Sequence, residues 1–212
     1  MTTIVRTDDV ATLVVPTDAP VVAGPPQGTW THADWEALDH SMGRYEIIAG
    51  VLYVTTAPGF FHQWIVQNLT IYLGAPAFAQ GLAFTVPSPV GVLMPGCDPV
   101  QPDFVVVLAA RAAIIHDKRI RGVPDLLLEI LSPSNSAYDL QVKRRAYGQA
   151  GVPEYAIVDP ATRTLNHYRR QASGDYDSPT VDTTTDTVRF DCLPTIAVPV
   201  GQLFAGSPDT TL

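Results

Sequence analysis

The amino-acid sequence predicts a mixed α/β domain, a central sheet flanked by helices, and three observations carry that prediction. Several short apolar runs of strand length are bounded by Gly, Pro or Asp: Tyr45–Ile48, Val51–Val54, Ala83–Pro87, Gly91–Met94, Asp103–Leu108 and Asp125–Leu131. Two longer stretches, Phe61 to about Leu73 and Ser136–Ala150, repeat apolar residues at helical spacing. The 212 residues are 46% apolar and contain no internal repeat, which suits a single domain with a real core.

Taken in order, residues 1–28 hold Thr-Asp pairs and the Gly24-Pro25-Pro26 breaker and read as a loosely ordered N-terminal arm, leaving 29–212 as the domain. Thr31 with Asp34 resembles a capping box opening a short helix through about His40. Ala49-Gly50 joins two apolar runs as a hairpin turn. Phe61, Ile65, Leu69, Tyr72 and Leu73 share one helical face. After the four middle strands, Ser136–Ala150 reads as a helix stopped by Gly151 and Pro153. Glu154–Asp159, the Asp159-Pro160 turn and Thr164–Arg169 follow as a strand pair, and the Thr- and Asp-rich tail offers weaker strands near Thr187–Phe190 and Thr195–Val198.

Composition excludes several classes. No apolar run is long enough for a transmembrane helix, and Met1–Asp9 lacks the basic-then-apolar pattern of a secretory signal. Cys97 and Cys192 lie far apart and form no C-x-x-C pair, so two reduced thiols in a cytoplasmic protein are expected, without a zinc site or disulfide framework. The net charge of −8 argues against coating nucleic acid through bulk charge, although Lys118, Arg119, Arg121, Lys143, Arg144 and Arg145 form two local basic clusters. No Gly-rich phosphate loop, H-E-x-x-H or G-x-S-x-G element occurs.

Glu129 is the residue hardest to explain as scaffold. It interrupts an apolar strand, on the same face as Leu127 and Leu131, and a buried carboxylate is costly unless paired or metal-bound. Asp103 opens the preceding strand after Pro102; by itself it reads as a turn residue, but beside Glu129 it completes a carboxylate pair sufficient for Mg²⁺. Lys143 shares a helical face with Leu140, Ala146, Tyr147 and Ala150, which aims its ammonium at the sheet; the alternative is a surface bridge to Asp139. Glu46, flanked by Tyr45 and Ile47, is either a further acid or an exposed hairpin residue. His62, on the face of Ile65, Val66 and Leu69, is either a site residue or a core histidine.

The strings Tyr45-Glu46-Ile47-Ile48-Ala49-Gly50, Pro102-Asp103, Pro124–Ser134, Asp139, Lys143, Tyr147, Gly151–Tyr155 and Ile157–Pro160, with His62 early in the first long helix, resemble the Uma family of restriction-endonuclease-like proteins within the PD-(D/E)XK nuclease superfamily. The resemblance spans roughly residues 30 to 205. It implies a restriction-endonuclease-like core with a metal site at the edge of a mixed sheet, Asp103 and Glu129 as ligands of Mg²⁺ (or Mn²⁺), Lys143, Glu46 and His62 completing the site, and DNA as substrate. The chain departs from the wider superfamily after Glu129, where Ile130-Leu131 replaces the lysine of the E-X-K motif; the family pattern moves that lysine to the next helix, where Lys143 stands.

The function expected is therefore a metal-dependent endonuclease, with a homodimer favoured for cutting both strands. The acidic charge and the missing E-X-K lysine motivate a rival, a catalytically inactive nuclease-like protein that binds DNA or assembles with itself. A two-carboxylate glycosidase is a distant third, since only three tryptophans are available to line a sugar cleft.

Overall fold

The structure is a computed structural model and describes residues 22–40, 43–55, 57–132 and 138–208. The first helix, α1 (His32–Glu36), begins as its capping box requires: the Thr31 hydroxyl accepts the Asp34 N–H and the Asp34 carboxylate accepts the Thr31 N–H. Strands β1 (Arg44–Ile48) and β2 (Val51–Thr55) form the expected antiparallel hairpin. Its turn residues Ala49 and Gly50 have φ of 50° and 73°, the left-handed pair that matches strand twist. The Gly50 carbonyl accepts N–H groups from Gly28 and Trp30, and a Cβ on Gly50 would strike the Gly28 carbonyl. Gly50→Ala is expected to lower stability by about 1–3 kcal/mol through strain and the collision. Denaturant unfolding checks this, and an unchanged midpoint would contradict it.

The next helix, α2 (Phe60–Leu69), runs on through a π-helical turn, Thr70–Gly74, into α3 (Ala75–Ala79), further than its periodicity indicated. Pro76 falls in the first turn of α3, directly after the π-helical turn. There follow β3 (Ala83–Pro87), β4 (Gly91–Met94), β5 (Cys97–Val100), β6 (Phe104–Leu108), a 3₁₀ segment, β7 (Arg119–Arg121) and β8 (Leu126–Ile130). A π-helical turn, Tyr138–Lys143, leads into α4 (Arg144–Ala150), which stops at Gly151 with φ of 101°. The sequence-based helix start at Ser136 lies outside the described residues. Strands β9 (Glu154–Asp159), β10 (Thr164–Arg169), β11 (Thr180–Asp182), β12 (Thr187–Val188) and β13 (Val198–Pro199) precede the last helix, α5 (Val200–Phe204).

Six strands form a mixed sheet in the order β11-β10-β9-β8-β6-β3, parallel between β8 and β9 and antiparallel elsewhere. A parallel step needs a crossover, and the helical segment Tyr138–Ala150 supplies it. The other strands of the first half make a second sheet, β2-β1-β5-β4-β7. One face of the six-stranded sheet, with Phe104, Val106, Leu126 and Leu128, packs on Ile65, Leu69 and Leu73 of the first helical stretch and on Leu203 of α5. The opposite face, with Val105, Val107, Leu127 and Ile157, packs on Ile48, Tyr53, Val92 and Val100 of the second sheet and on Tyr147 of α4. The mixed α/β class is as expected, but the second face is covered by a sheet as well as a helix. Alternation of apolar residues reports that a strand is buried, not which layer it joins.

Of the N-terminal segment, residues 1–21 lie outside the description, while Gln27 exchanges hydrogen bonds with the Leu52 backbone and so ties the chain to the outer edge of β2. Cys97 and Cys192 are free. No helix among the described residues is long and apolar enough to cross a membrane.

Candidate active site

The site forms where the six-stranded sheet, the second sheet and the Tyr138–Ala150 helix meet. In the antiparallel β6–β8 ladder Phe104 faces Leu128, so extending the register by one position sets Asp103 opposite Glu129. Both share the face of Val105 and Leu127, which looks into the core between the sheets. The Ile130 N–H donates to Asp103 Oδ2 at 2.9 Å, and the Asp103 N–H approaches Glu129 Oε2 at 3.4 Å. Thus the strand backbone itself holds the two carboxylates together.

Glu46 arrives from β1, on the same face as Ile48, and is buried rather than exposed on the hairpin. Its Oε1 accepts the Gln101 N–H, and its Oε2 accepts the Tyr138 hydroxyl at 3.1 Å. Lys143 comes from the helix. Its ammonium lies 3.0 Å from Glu129 Oε1, 3.4 Å from Glu46 Oε2 and 3.4 Å from Asp139 Oδ1, with the Tyr138 ring centroid at 5.1 Å. The Asp139 contact is buried and part of this cluster, not a surface bridge. His62, from the first turn of α2, places Nε2 3.0 Å from Asp103 Oδ2. All five side chains singled out in the sequence therefore converge.

Four further residues join them. Tyr147 donates its hydroxyl to Glu129 Oε1 at 2.8 Å, the same oxygen that Lys143 engages. Tyr155 donates to the Asp139 carbonyl and steadies the π turn. Arg44 approaches Asp103 Oδ1 at 4.0 Å. Tyr138 was invisible to a helical-wheel argument because it stands five residues before Lys143, an offset that only a π-helical turn brings to one face. Arg44 had a signal, since strand alternation puts it on the face of Glu46 and Ile48.

The electrostatics are dominated by crowding of like charge. Four carboxyl groups (Glu46, Asp103, Glu129, Asp139) meet two permanent cations, Lys143 and, at 4.0 Å, Arg44. Burial pushes Asp103 up, but the His62 hydrogen bond and charge, with Lys143 and the Ile130 N–H, bring it below the ordinary carboxylate range. Burial raises Glu129 well above that range, Lys143 opposes the rise, and the other carboxylates add to it. For Lys143 the carboxylates overcome the desolvation that would lower it, and its ammonium is held charged. Burial also raises Tyr138 and Tyr147, which stay protonated donors.

Asp139 is pushed up to about 7, by burial first, against the pull of Lys143. A carboxyl with a folded pKa above its unfolded one contributes stability below the unfolded value and loses it as pH rises through the folded value. Asp139→Asn is therefore expected to match the wild type near pH 4 and to exceed it above pH 7 by about 1–3 kcal/mol, read from melts across that range. Destabilisation growing with pH would instead show that the Lys143 ion pair dominates.

Among the described residues no three His, Cys, Asp or Glu side chains form a metal-binding group. The donor set fits a more open arrangement. Among the described residues Asp103 Oδ1 has only the long Arg44 contact and Glu129 Oε2 only the 3.4 Å N–H, so each carboxylate keeps one lightly engaged oxygen. Mg²⁺ prefers one or two carboxylates, with water and phosphate oxygens completing its octahedron.

The sequence profile of the Uma2 family, described as "Putative restriction endonuclease", matches residues 31–201, a span that contains every residue of this cluster. The chain belongs to the Uma2 family. Among solved structures, this Uma2 chain is similar to one described as a "putative nuclease belonging to DUF820" from Anabaena variabilis: 19% identical, TM-score 0.70, covering 82% of this chain and 97% of that one. At that identity the likeness shows a shared fold. No curated protein matches the chain significantly.

Proposed function

We propose that this protein is a divalent-metal-dependent endonuclease of the PD-(D/E)XK type that hydrolyses DNA phosphodiester bonds, with Asp103 and Glu129 holding Mg²⁺ (or Mn²⁺). The observation that carries the reading is the cross-strand pairing of Asp103 with Glu129, with a lysine from the following helix 3.0 Å from Glu129. Membership of the Uma2 family supports it. When bound, the ion would lower the pKa of a water nucleophile and polarise the scissile phosphate.

The chain's own residues prepare that chemistry. His62 and the Ile130 N–H fix Asp103 Oδ2, which leaves Oδ1 with the 4.0 Å contact to Arg44. Lys143 and Tyr147 fix Glu129 Oε1, which leaves Oε2 beside Asp103. Lys143 neutralises charge at the centre, and Glu46 helps to hold its ammonium there. Such orienting contacts typically change metal affinity or activity by about 10–100-fold when removed.

The test is nicking of supercoiled plasmid by purified protein with Mg²⁺, Mn²⁺ or EDTA. Metal-dependent nicking that EDTA abolishes is the expected result. Folded protein that nicks no DNA with either metal would overturn the reading in favour of a non-catalytic DNA-binding or self-assembling protein. That rival draws on one observation, the crowding of three carboxylates within 3.4 Å of the Lys143 ammonium.

A further inference from the structure

Side-chain exposure grades the cluster. Glu46 and Glu129 are 2% exposed, Lys143 6%, Asp103 9%, His62 11% and Arg44 24%. Of these side chains Arg44 and His62 are the more accessible to solvent, and Lys143 is the less. The ammonium donates to Glu129 and lies within 3.4 Å of Glu46 and Asp139 as well, so its charge is already committed to three carboxylates.

Arg44 differs in each respect. One terminal nitrogen donates to the Gln101 carbonyl at 2.9 Å, the other stands 4.0 Å from Asp103 Oδ1, beyond hydrogen-bond reach, and Nε has no partner among the described residues. His62 Nδ1, across Asp103 from it, likewise lacks a partner. A buried guanidinium N–H without an acceptor is costly, and with an unpartnered imidazole nitrogen on the other side of the same carboxylate it marks a place where a polar partner is missing. A planar guanidinium with unused N–H groups suits the two oxygens of a phosphodiester.

We propose that Arg44 is the phosphate-binding residue of this site, its guanidinium taking a DNA phosphodiester beside Asp103, while Lys143 acts as a positioning residue that holds the carboxylates. The assignment rests on the nuclease reading above. It separates two roles that a single lysine would otherwise have to fill.

The experiment is fluorescence anisotropy of a labelled DNA duplex in Ca²⁺ at several salt concentrations, for the wild type, Arg44→Gln, Arg44→Met and Arg44→Lys. A phosphate contact releases counterions, so its loss flattens the plot of log affinity against log salt by about 0.9 per contact. Arg44→Gln and Arg44→Met are expected to bind roughly tenfold more weakly with the slope reduced by about one, and Arg44→Lys to restore the slope. The Met variant keeps the aliphatic stem, so loss of fold in one substitution leaves the other to decide. A folded neutral variant with the wild-type slope would overturn the assignment, whatever its affinity, because a structural role does not move that slope. Wild-type protein that binds no duplex would overturn the nuclease reading itself, a result distinct from the first.

Discussion

Glu129→Gln is expected to abolish metal-dependent nicking, by about three orders of magnitude or more, while leaving the melting temperature unchanged or higher. The amide oxygen can still accept the Lys143 ammonium and the Tyr147 hydroxyl, so the pocket keeps its shape. What disappears is the carboxyl oxygen beside Asp103, the one a bound metal ion would ionise, because the amide nitrogen takes its place. On stability the sign is opposite to that on activity. Burial holds the Glu129 carboxyl well above its ordinary range, so the folded state resists its ionisation and loses stability as pH rises past the unfolded pKa. The substitution removes that loss, and the margin of the variant over the wild type should widen with pH. Plasmid nicking and melts at two pH values test both halves together. Full activity in the variant would remove Glu129 from the chemistry; a large drop in melting temperature would show that its charge holds the fold together.

Lys143→Met should do the reverse. It leaves Glu46, Glu129 and Asp139 around a space without a counter-charge, and breaking a buried pair from one side typically costs about 3–5 kcal/mol. Methionine matches the length of the lysine stem, so the loss reports charge more than volume. Because uncompensated carboxylates are tolerated when protonated, the deficit should be larger at pH 8 than at pH 5.5. Adding Glu46→Gln should recover part of it, since one of the stranded charges is then gone. Denaturant unfolding of the single and double variants measures the coupling. Equal stability of Lys143→Met and wild type at pH 8 would mean that the ammonium is not the keystone of the cluster.

The residues of this site were legible in the chain, although their arrangement was not. Glu129 announced itself because a carboxylate inside Leu126–Leu131 has no cheap explanation, and Lys143 because it falls on the apolar stripe of its helix. For Glu46 and His62 the sequence left two readings open; the structure buries Glu46 rather than exposing it on the hairpin and sets the half-buried His62 against Asp103, so both stand beside other members of the cluster. Tyr138 had no periodic signal, because a π-helical turn is a departure from the 3.6-residue repeat on which such arguments depend. Strands β5, β7 and β11 escaped as well: they are three or four residues long and carry Asp, Pro or Arg, too short and too polar for alternation to register.

By itself the sequence determined the family, the mixed α/β class, the principal strands and helices, and the five residues that converge. These follow from local spacing and from motif strings, and spacing along a chain is a local property. Only the tertiary structure decided that two sheets rather than one enclose the site, that Asp103 and Glu129 face each other across a ladder, and that one ammonium serves three carboxylates while Arg44 keeps donors unused. Partners in a charge cluster lie as far apart in sequence as Glu46 and Tyr138, and their energies depend on burial and distance, which exist only once the layers have packed.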